Sequence, residues 1–316
     1  MGGGSSKPKA VTAKEVITGT GRGLCFGTSA MQGMRPNMED VTVAVGEVAG
    51  HADHSFFAVF DGHNGATVAR CCVHVLDKVL ATPSWTEYCD TAMADPQLLA
   101  SAMKQAFVAT DAELSELNPR PEMQGSTANC AFITPSHIVV ANLGDCRCVL
   151  VTTSSGPVDL SRDHKPSLPA EELRINEAGG TTFTLGSTRR LSLKPKPSPE
   201  GTPDWLKDAV PTLPSLAVSR AFGDFHWKTG DVHVVTVEPE IRVRERNAQE
   251  DTALVIACDG VWDVMSSSQC HGFVHAEARA DSNWAPDAVC SRLIDHCLTT
   301  GSMDNLSAIV VRFTPE

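Results

Sequence analysis

Acidic residues stand beside glycine, asparagine or one another at the ends of several short apolar runs. Asp61-Gly62 follows Phe56–Phe60, and Asp259-Gly260 follows Leu254–Cys258. The same arrangement recurs at Glu39-Asp40, Gly144-Asp145 and Asp304-Asn305. One Asp-Gly pair is more often a turn than a ligand. Together, however, the ends of several predicted strands can bring these carboxylates to one end of a sheet.

Carboxylates gathered in one place repel each other, so either some stay protonated or cations bind between them. Oxygen ligands of this kind suit Mg²⁺ or Mn²⁺ better than zinc or copper. One carboxylate shared by two such ions would hold them about 3.5–4 Å apart, the spacing of two-metal hydrolases. A water between the ions would ionise near neutral pH and could attack phosphorus in line. If cations bind, the pattern therefore predicts a dinuclear hydrolytic centre.

In their order along the chain, the motifs closely resemble those of the PPM family, the PP2C-type phosphatases. The resemblance runs from about residue 23 to about residue 313. The segments that carry it are GMRPNMED at 33–40, FAVFDGHNG at 57–65, GSTA at 125–128, ANLGDCR at 141–147, DHKP at 163–166, LAVSRAFGD at 216–224, ACDGVWD at 257–263 and DNLS at 304–307.

The resemblance implies two bound Mg²⁺ or Mn²⁺ ions and assigns their ligands. Asp61 would bridge the two ions. The other ligands implied are Asp259 and Asp304 at one ion, Glu39 and the carbonyl of Gly62 at the second, and Asp145, Asp259 and Asp263 at a weaker third site.

The resemblance also implies three catalytic residues. Arg35 would grip the phosphate oxygens with its planar fork. His63, next to the bridging carboxylate, would protonate the leaving alkoxide. Asp40 would orient the attacking water from behind the ligands. Asp224 matches a family motif and is expected to be structural.

The predicted function is hydrolysis of phosphoserine and phosphothreonine in phosphoprotein substrates, by direct attack of a water held between two cations. The alternative is a catalytically weak pseudophosphatase that acts as a phosphoprotein-binding module, although every implied ligand is present. Gly223–Trp227 superficially resembles the start of a calcineurin-like motif, but Trp227 breaks it. A cysteine phosphatase is excluded because no cysteine has arginine six residues later.

Short β-prone runs outnumber helical patterns. Apolar residues recur at helical spacing near residues 69–80, 99–107 and 290–297. We therefore expect an α+β fold, a layered sandwich in which two mainly antiparallel β-sheets pack together with helices on the outside.

The domain organisation expected is a flexible tail over residues 1–22 and a PPM-type phosphatase domain over 23–316. Within that domain, the segment at about 186–215 is Pro-rich and basic and includes Arg189 and Arg190. A long irregular excursion in a compact domain is usually either functional or disordered, and we expect this extended flap to tune substrate docking.

Composition excludes several classes. The net charge of −12 argues against nucleic acid as a partner. The 11 cysteines form no C-x-x-C pair, so they predict reduced thiols and a cytoplasmic or nuclear protein. No apolar run reaches the about 20 residues that span a membrane, and no signal peptide is predicted.

The first residues carry a lipidation signal. Met1-Gly2-Gly3-Gly4-Ser5-Ser6 fits the acceptor pattern for myristoylation of Gly2. One acyl chain binds a membrane only marginally, so Lys7, Lys9 and Lys14 would supply the second contact. Peripheral association with a membrane is therefore an expectation, and the chain is expected to be a monomer.

Overall fold

A computed structural model describes residues 10–91, 95–194, 214–230 and 232–314. Gly2 and most of the flap, residues 195–213, lie outside the described residues. The strands are β1 (Val11–Gly21), β2 (Leu24–Gly33), β3 (Val41–Val45), β4 (Ser55–Phe60), β5 (Gly62–His63), β6 (Gly125–Ser126), β7 (Ala128–Ile133), β8 (His137–Leu143), β9 (Arg147–Thr152), β10 (Pro157–Asp159), β11 (Gly180–Leu185), β12 (Thr188–Leu193), β13 (Phe222–Gly223), β14 (Lys228–Thr229), β15 (Val232–His233), β16 (Glu240–Glu245), β17 (Asp251–Ala257) and β18 (Leu306–Phe313).

The helices are α1 (Thr67–Cys71), α2 (Val75–Leu80), α3 (Pro83–Asp90), α4 (Pro96–Ser115), α5 (Pro169–Glu177), α6 (Asp259–Trp262), α7 (Ser267–Ala280) and α8 (Pro286–Thr300). Short 3-10 turns lie at Cys72–His74 and Phe225–Trp227. Among the described residues, no helix is both long and apolar enough to cross a membrane.

Two large sheets form the centre of the molecule. One has six strands in the order β1-β2-β18-β17-β9-β10, and the other has five in the order β16-β8-β7-β4-β3. Every neighbouring pair in both sheets is antiparallel. The predicted α+β class with mainly antiparallel sheets is confirmed.

Alternation along each strand divides the core into layers. On β4, Phe57 and Val59 face the other sheet, where they share a cluster with Ile256 of β17. The intervening Phe56 and Phe60 belong to the cluster under the helices, because successive side chains of a strand point to opposite faces. Strand β4 is therefore buried on both faces.

The predicted helical stripes face these layers. Helix α4 buries Leu99, Met103 and Phe107 against the five-stranded sheet. Asp95 caps its start, where the side chain accepts a hydrogen bond from the Gln97 amide. Helix α8 buries the stripe at 290–297 against the six-stranded sheet. The stripe at 69–80 is confirmed, but a 3-10 turn divides it into α1 and α2.

The expected tail is wrong for Val11–Gly21, which forms β1 at the edge of the six-stranded sheet. Most side chains on both faces of β1 are exposed, so its apolar residues do not alternate between buried and exposed positions. Val16 and Ile17 are in fact exposed. The flap also begins with regular structure, since β11 and β12 form a hairpin.

Candidate active site

The carboxylates meet where strands of the two sheets end on the same side of the sandwich. Asp61 follows β4 of one sheet, and Asp259 opens α6 directly after β17 of the other. A cavity of about 430 Å³ lies between them. The predicted site residues that line it are Arg35, Glu39, Asp61, Gly62, His63, Asp145, Asp259 and Asp304. The structure therefore brings these eight together.

Two predicted residues lie outside the cavity lining. Asp40 is buried beneath it, where its carboxylate groups with Asp61 and with the thiol of Cys258. Asp263 is exposed at the end of α6. Sequence reasoning did not anticipate this contact of the Cys258 thiol with the carboxylates. In the sequence, Cys258 is only the last residue of a predicted buried strand.

Burial and mutual repulsion raise the pKa of the clustered carboxyl groups. Burial is the larger cause in each case. It raises the pKa of Asp40 to about 7 and that of Asp259 to about 6, the latter with help from Asp304. The pKa values of Asp61 and Asp145 lie well above the usual range, and repulsion by Asp259 contributes to both. Without bound cations, these carboxyl groups can stay this close only if some of them are protonated.

The donor set fits hard divalent cations. The groups are carboxylate oxygens and a carbonyl, which Mg²⁺ and Mn²⁺ prefer. Asp40 Oδ2 is buried without a hydrogen-bond partner in the described part of the chain, so a polar group at the site is still unsatisfied. A thiol does not suit such an ion as a ligand, and Cys258 is buried beside Asp40 and Asp61.

Close backbone packing explains why glycine follows Asp61. A Cβ at Gly62 would lie 2.6 Å from the carbonyl oxygen of Glu39. Only glycine allows the two segments to approach this closely. The side chain of Asn305 fixes the same segment, because its Oδ1 accepts from the Glu39 amide at 2.9 Å and its Nδ2 donates to the carbonyl of Asn37 at 2.9 Å. Asn305 is a positioning residue that sequence reasoning missed.

Arg35 is held by one of the predicted ligands. Its Nη2 lies 2.5 Å from Oδ2 of Asp304. The side chain is 56% exposed, so the guanidinium borders the open side of the cavity. An arginine at the rim of a carboxylate cluster supplies the positive charge that an incoming phosphate requires.

His63 is held by Asp224. Its Nε2 lies 2.7 Å from Asp224 Oδ2, and that carboxyl group is fully buried. The small sheet β13-β6-β5 brings them together, since β6 pairs with both neighbours. A Cβ at Gly125 of β6 would lie 2.2 Å from Asp224 Oδ2 and 2.5 Å from His63 Nε2. The expectation that Asp224 is merely structural therefore missed its contact with the proposed acid.

The contact of Asp224 with His63 also bears on the calcineurin-like alternative. That reading needs Asp224 and His226 as metal ligands. His226 instead packs edge-on against the ring of Trp227 and does not line the cavity.

Lys165 lies between two ligands of the expected third site. Its Nζ is 3.0 Å from Asp263 Oδ1 and 3.8 Å from Asp145 Oδ2. The preceding residue, His164, is buried and accepts a hydrogen bond at Nδ1 from the Gly144 amide at 3.2 Å. The Asp163–Pro166 motif, to which no role was assigned, thus fixes the loop that carries Asp145.

Comparison with known proteins identifies the family. The family model described as "Protein phosphatase 2C" matches residues 25–306. The chain belongs to the protein phosphatase 2C family. This family is one of serine/threonine protein phosphatases, so the resemblance inferred from the motifs and the predicted enzyme class are confirmed at the level of the family.

Curated relatives are named protein phosphatases. Protein phosphatase 1A of Homo sapiens is 33% identical over 323 residues, which cover 99% of this chain and 76% of the relative. Protein phosphatase 1B of Rattus norvegicus is 36% identical over 327 residues, with the same coverage of 99% and 76%. Protein phosphatase ppm-1.A of Caenorhabditis elegans is 34% identical over 99% of this chain, which spans 64% of that relative.

Solved structures share the fold of this protein phosphatase 2C chain. The serine-threonine phosphatase 2C from Toxoplasma gondii superposes with a TM-score of 0.77 at 24% identity, over 96% of this chain and 100% of that one. A sex determining protein of C. elegans gives a TM-score of 0.71 at 25% identity, over 93% and 65%.

Proposed function

We propose that this chain hydrolyses phosphoserine and phosphothreonine in proteins with two divalent cations, Mg²⁺ or Mn²⁺, held at its carboxylate cluster. The observation that carries the proposal is the convergence of Asp61 and Asp259, from different sheets, on one cavity that Arg35 and His63 also line. Five predicted ligands share this cavity: Glu39, Asp61, the carbonyl of Gly62, Asp259 and Asp304. A third, weaker ion would use Asp145, Asp259 and Asp263.

Bound cations would supply positive charge to the phosphoryl oxygens and a water that ionises near neutral pH. The residues of the chain do the rest. Arg35 binds the phosphate oxygens and sets the ester in line with the water. Asp40, beneath the ligands, orients that water. His63 gives its proton to the oxygen of the departing serine or threonine, and Asp224 holds the imidazole in place.

The test is release of phosphate from a phosphothreonine peptide with Mn²⁺, with and without a chelator. We expect Asp61→Asn and the chelator each to abolish turnover. Asp77→Asn, at an exposed carboxylate on α2, is the matched control and should be fully active. A turnover rate that neither the chelator nor Asp61→Asn changes would overturn the proposal. Peptide binding without any turnover would instead support a pseudophosphatase.

The remaining predictions concern the cell. Myristoylation of Gly2, peripheral membrane association, cytoplasmic or nuclear location, the monomeric state and the role of the flap at about 186–215 in substrate docking stay predictions. The mass of the N-terminal peptide from protein expressed in a eukaryotic cell tests the first of them.

A further inference from the structure

A second arginine lines the cavity. Arg190 of β12 borders it together with Ser215 and Leu216, on the wall formed by the flap hairpin. The carboxylates and Arg35 line the cavity from other segments of the chain, outside the flap hairpin. Arg190 belongs to the basic segment of the flap and is not among the site residues predicted from the motifs.

The hairpin that carries Arg190 is fixed to the body of the protein. Leu191, the next residue, is fully buried in a small core with Ile175 of α5 and Trp227. Its backbone exchanges two hydrogen bonds with Leu216, at 2.8 and 3.1 Å. Leu216 borders the cavity, so these bonds couple the hairpin directly to the cavity wall.

Hydrogen bonds to Ser215 orient the guanidinium of Arg190. Its Nε donates to Ser215 Oγ at 2.9 Å, and its Nη2 donates to the Ser215 carbonyl at 2.7 Å. No carboxylate among the described residues pairs with it. The neighbouring Arg189 faces the other way and is paired with Glu172 of α5. Successive side chains of a strand alternate in direction, so adjacent arginines of one strand have different surroundings.

Arg35 and Arg190 therefore have different tasks. Arg35 is already bonded to Asp304, beside the predicted cations, where the reacting phosphate must lie. Arg190 lies on the wall formed by the flap hairpin, and within the described part of the chain its Nη1 has no hydrogen-bond partner and no carboxylate balances its charge. An oriented arginine of this kind suits a second anion, carboxylate or phosphate, through paired hydrogen bonds.

We propose that Arg190 is a specificity-determining residue that binds an anionic side chain beside the phosphoresidue of the substrate. The inference rests on the proposed phosphatase function. It makes the preferred substrates phosphoproteins in which an aspartate, a glutamate or a second phosphoresidue stands close to the phosphate that is removed.

The experiment compares three sets of phosphothreonine peptides with the full-length, Mn²⁺-loaded protein. One set has neutral flanking residues, one carries glutamate at single positions on either side, and one carries a second phosphoserine at the same positions. For wild type we expect kcat/KM to be about fivefold higher for at least one acidic position than for the neutral peptide, the upper end of what one partly exposed ion pair contributes. The glutamate and phosphoserine sets show which anion Arg190 prefers.

Arg190→Ala should abolish this preference through KM, and should leave the neutral peptide and p-nitrophenyl phosphate within about twofold of wild type. Arg190→Lys should retain part of it, because a point charge replaces the fork. Arg189→Ala removes the same charge one residue away and should keep the preference. Thermal melts check that the hairpin stays folded.

The outcomes separate the two proposals. A wild type that hydrolyses no phosphopeptide would overturn the phosphatase function. A wild type that hydrolyses neutral and acidic peptides equally would overturn only the role of Arg190. An equal loss on every substrate in Arg190→Ala would also overturn that role, since it would show that Arg190 only supports the cavity wall.

Discussion

The buried carboxyl group of Asp224 lies 2.7 Å from Nε2 of His63, although the two residues are 161 positions apart in the chain. With Nε2 engaged in this contact, Nδ1 is the ring nitrogen left for the leaving group. The orientation of the imidazole therefore depends on a residue that itself does not line the cavity.

Asp224→Asn should impair hydrolysis selectively. The serine or threonine alkoxide needs a proton as it leaves, whereas p-nitrophenolate does not. We therefore expect kcat/KM to fall about 100-fold on a phosphothreonine peptide, within the range for general acid catalysis, and less than about threefold on p-nitrophenyl phosphate. Gly125→Ala should reproduce this split, since the added methyl group would separate the pair. An equal fall on both substrates would contradict a positioning role for Asp224.

The metal-free protein should lose stability as pH rises. The folded-state pKa is about 7 for Asp40 and about 6 for Asp259, chiefly because of burial, whereas an unfolded aspartate titrates near 4. Between about pH 4 and 7 the unfolded chain releases protons that the folded chain keeps, so the free energy of unfolding decreases.

Urea unfolding at pH 5 and pH 8 measures this effect. In chelator, the protein should be less stable at pH 8, and saturating Mg²⁺ or Mn²⁺ should restore most of the loss because cations replace the protons. Asp40→Asn should reduce the difference between the two pH values. Equal stability at both in chelator would contradict the proposed cluster of protonated carboxyl groups.

Glu171 should stabilise the base of the flap. It is buried, and its carboxylate accepts from Ser219 Oγ at 2.7 Å and from Arg220 at 2.5 Å. Removing its charge leaves Arg220 without its buried partner, so Glu171→Gln should lower the free energy of unfolding by about 3 kcal/mol at pH 7. Glu172→Gln, at the partly exposed neighbouring pair with Arg189, should cost less than about 1 kcal/mol.

The contribution of Glu171 to the free energy of unfolding should also depend on pH. Burial would raise its pKa, but hydrogen bonds from Arg220 and Ser219 outweigh burial and lower the pKa to about 2. This stabilisation is complete above the unfolded pKa and is lost as pH falls from about 4 towards 2. The difference between wild type and Glu171→Gln should therefore be smaller at pH 2.5 than at pH 7. An unchanged difference would show that the glutamine acts through packing.

Lys165 should compete with the weakest cation. Its ammonium lies between Asp145 and Asp263, two of the three ligands expected at the third site. Lys165→Met removes that positive charge, so the weak Mn²⁺ site should bind about tenfold more tightly, equivalent to about 1.4 kcal/mol. Calorimetric titration measures this without reference to activity. Lys104→Met, at a surface pair with Glu238, is the control, and an identical weak affinity in both variants would contradict the competition.

Strands that are buried on one or both faces were predictable from sequence. The apolar run Phe56–Phe60 differs from β4 by one residue, because apolar composition follows burial there. Val11–Gly21 could not be recognised in the same way. It has one strand neighbour and exposed side chains, so its pairing with β2 leaves little trace in the pattern of apolar residues.

The candidate site was predictable where a motif holds both the reactive group and its neighbour. Asp61, Gly62 and His63 are adjacent in sequence, and each lines the cavity. The contacts of His63 with Asp224 and of Glu39 with Asn305 join distant segments. Their only signal in sequence is that Asp224 and Asn305 belong to motifs of the family, and a motif does not say which distant residue its side chain touches.

The cavity is assembled from both layers, with Asp61 after a strand of one sheet and Asp259 after a strand of the other. The hydrophobic layer between the sheets, filled by side chains such as Phe57 and Ile256, therefore sets the distance between these two carboxylates. If cations bind between them as proposed, a substitution that changes the volume of this layer should change the affinity for the cations without altering any ligand.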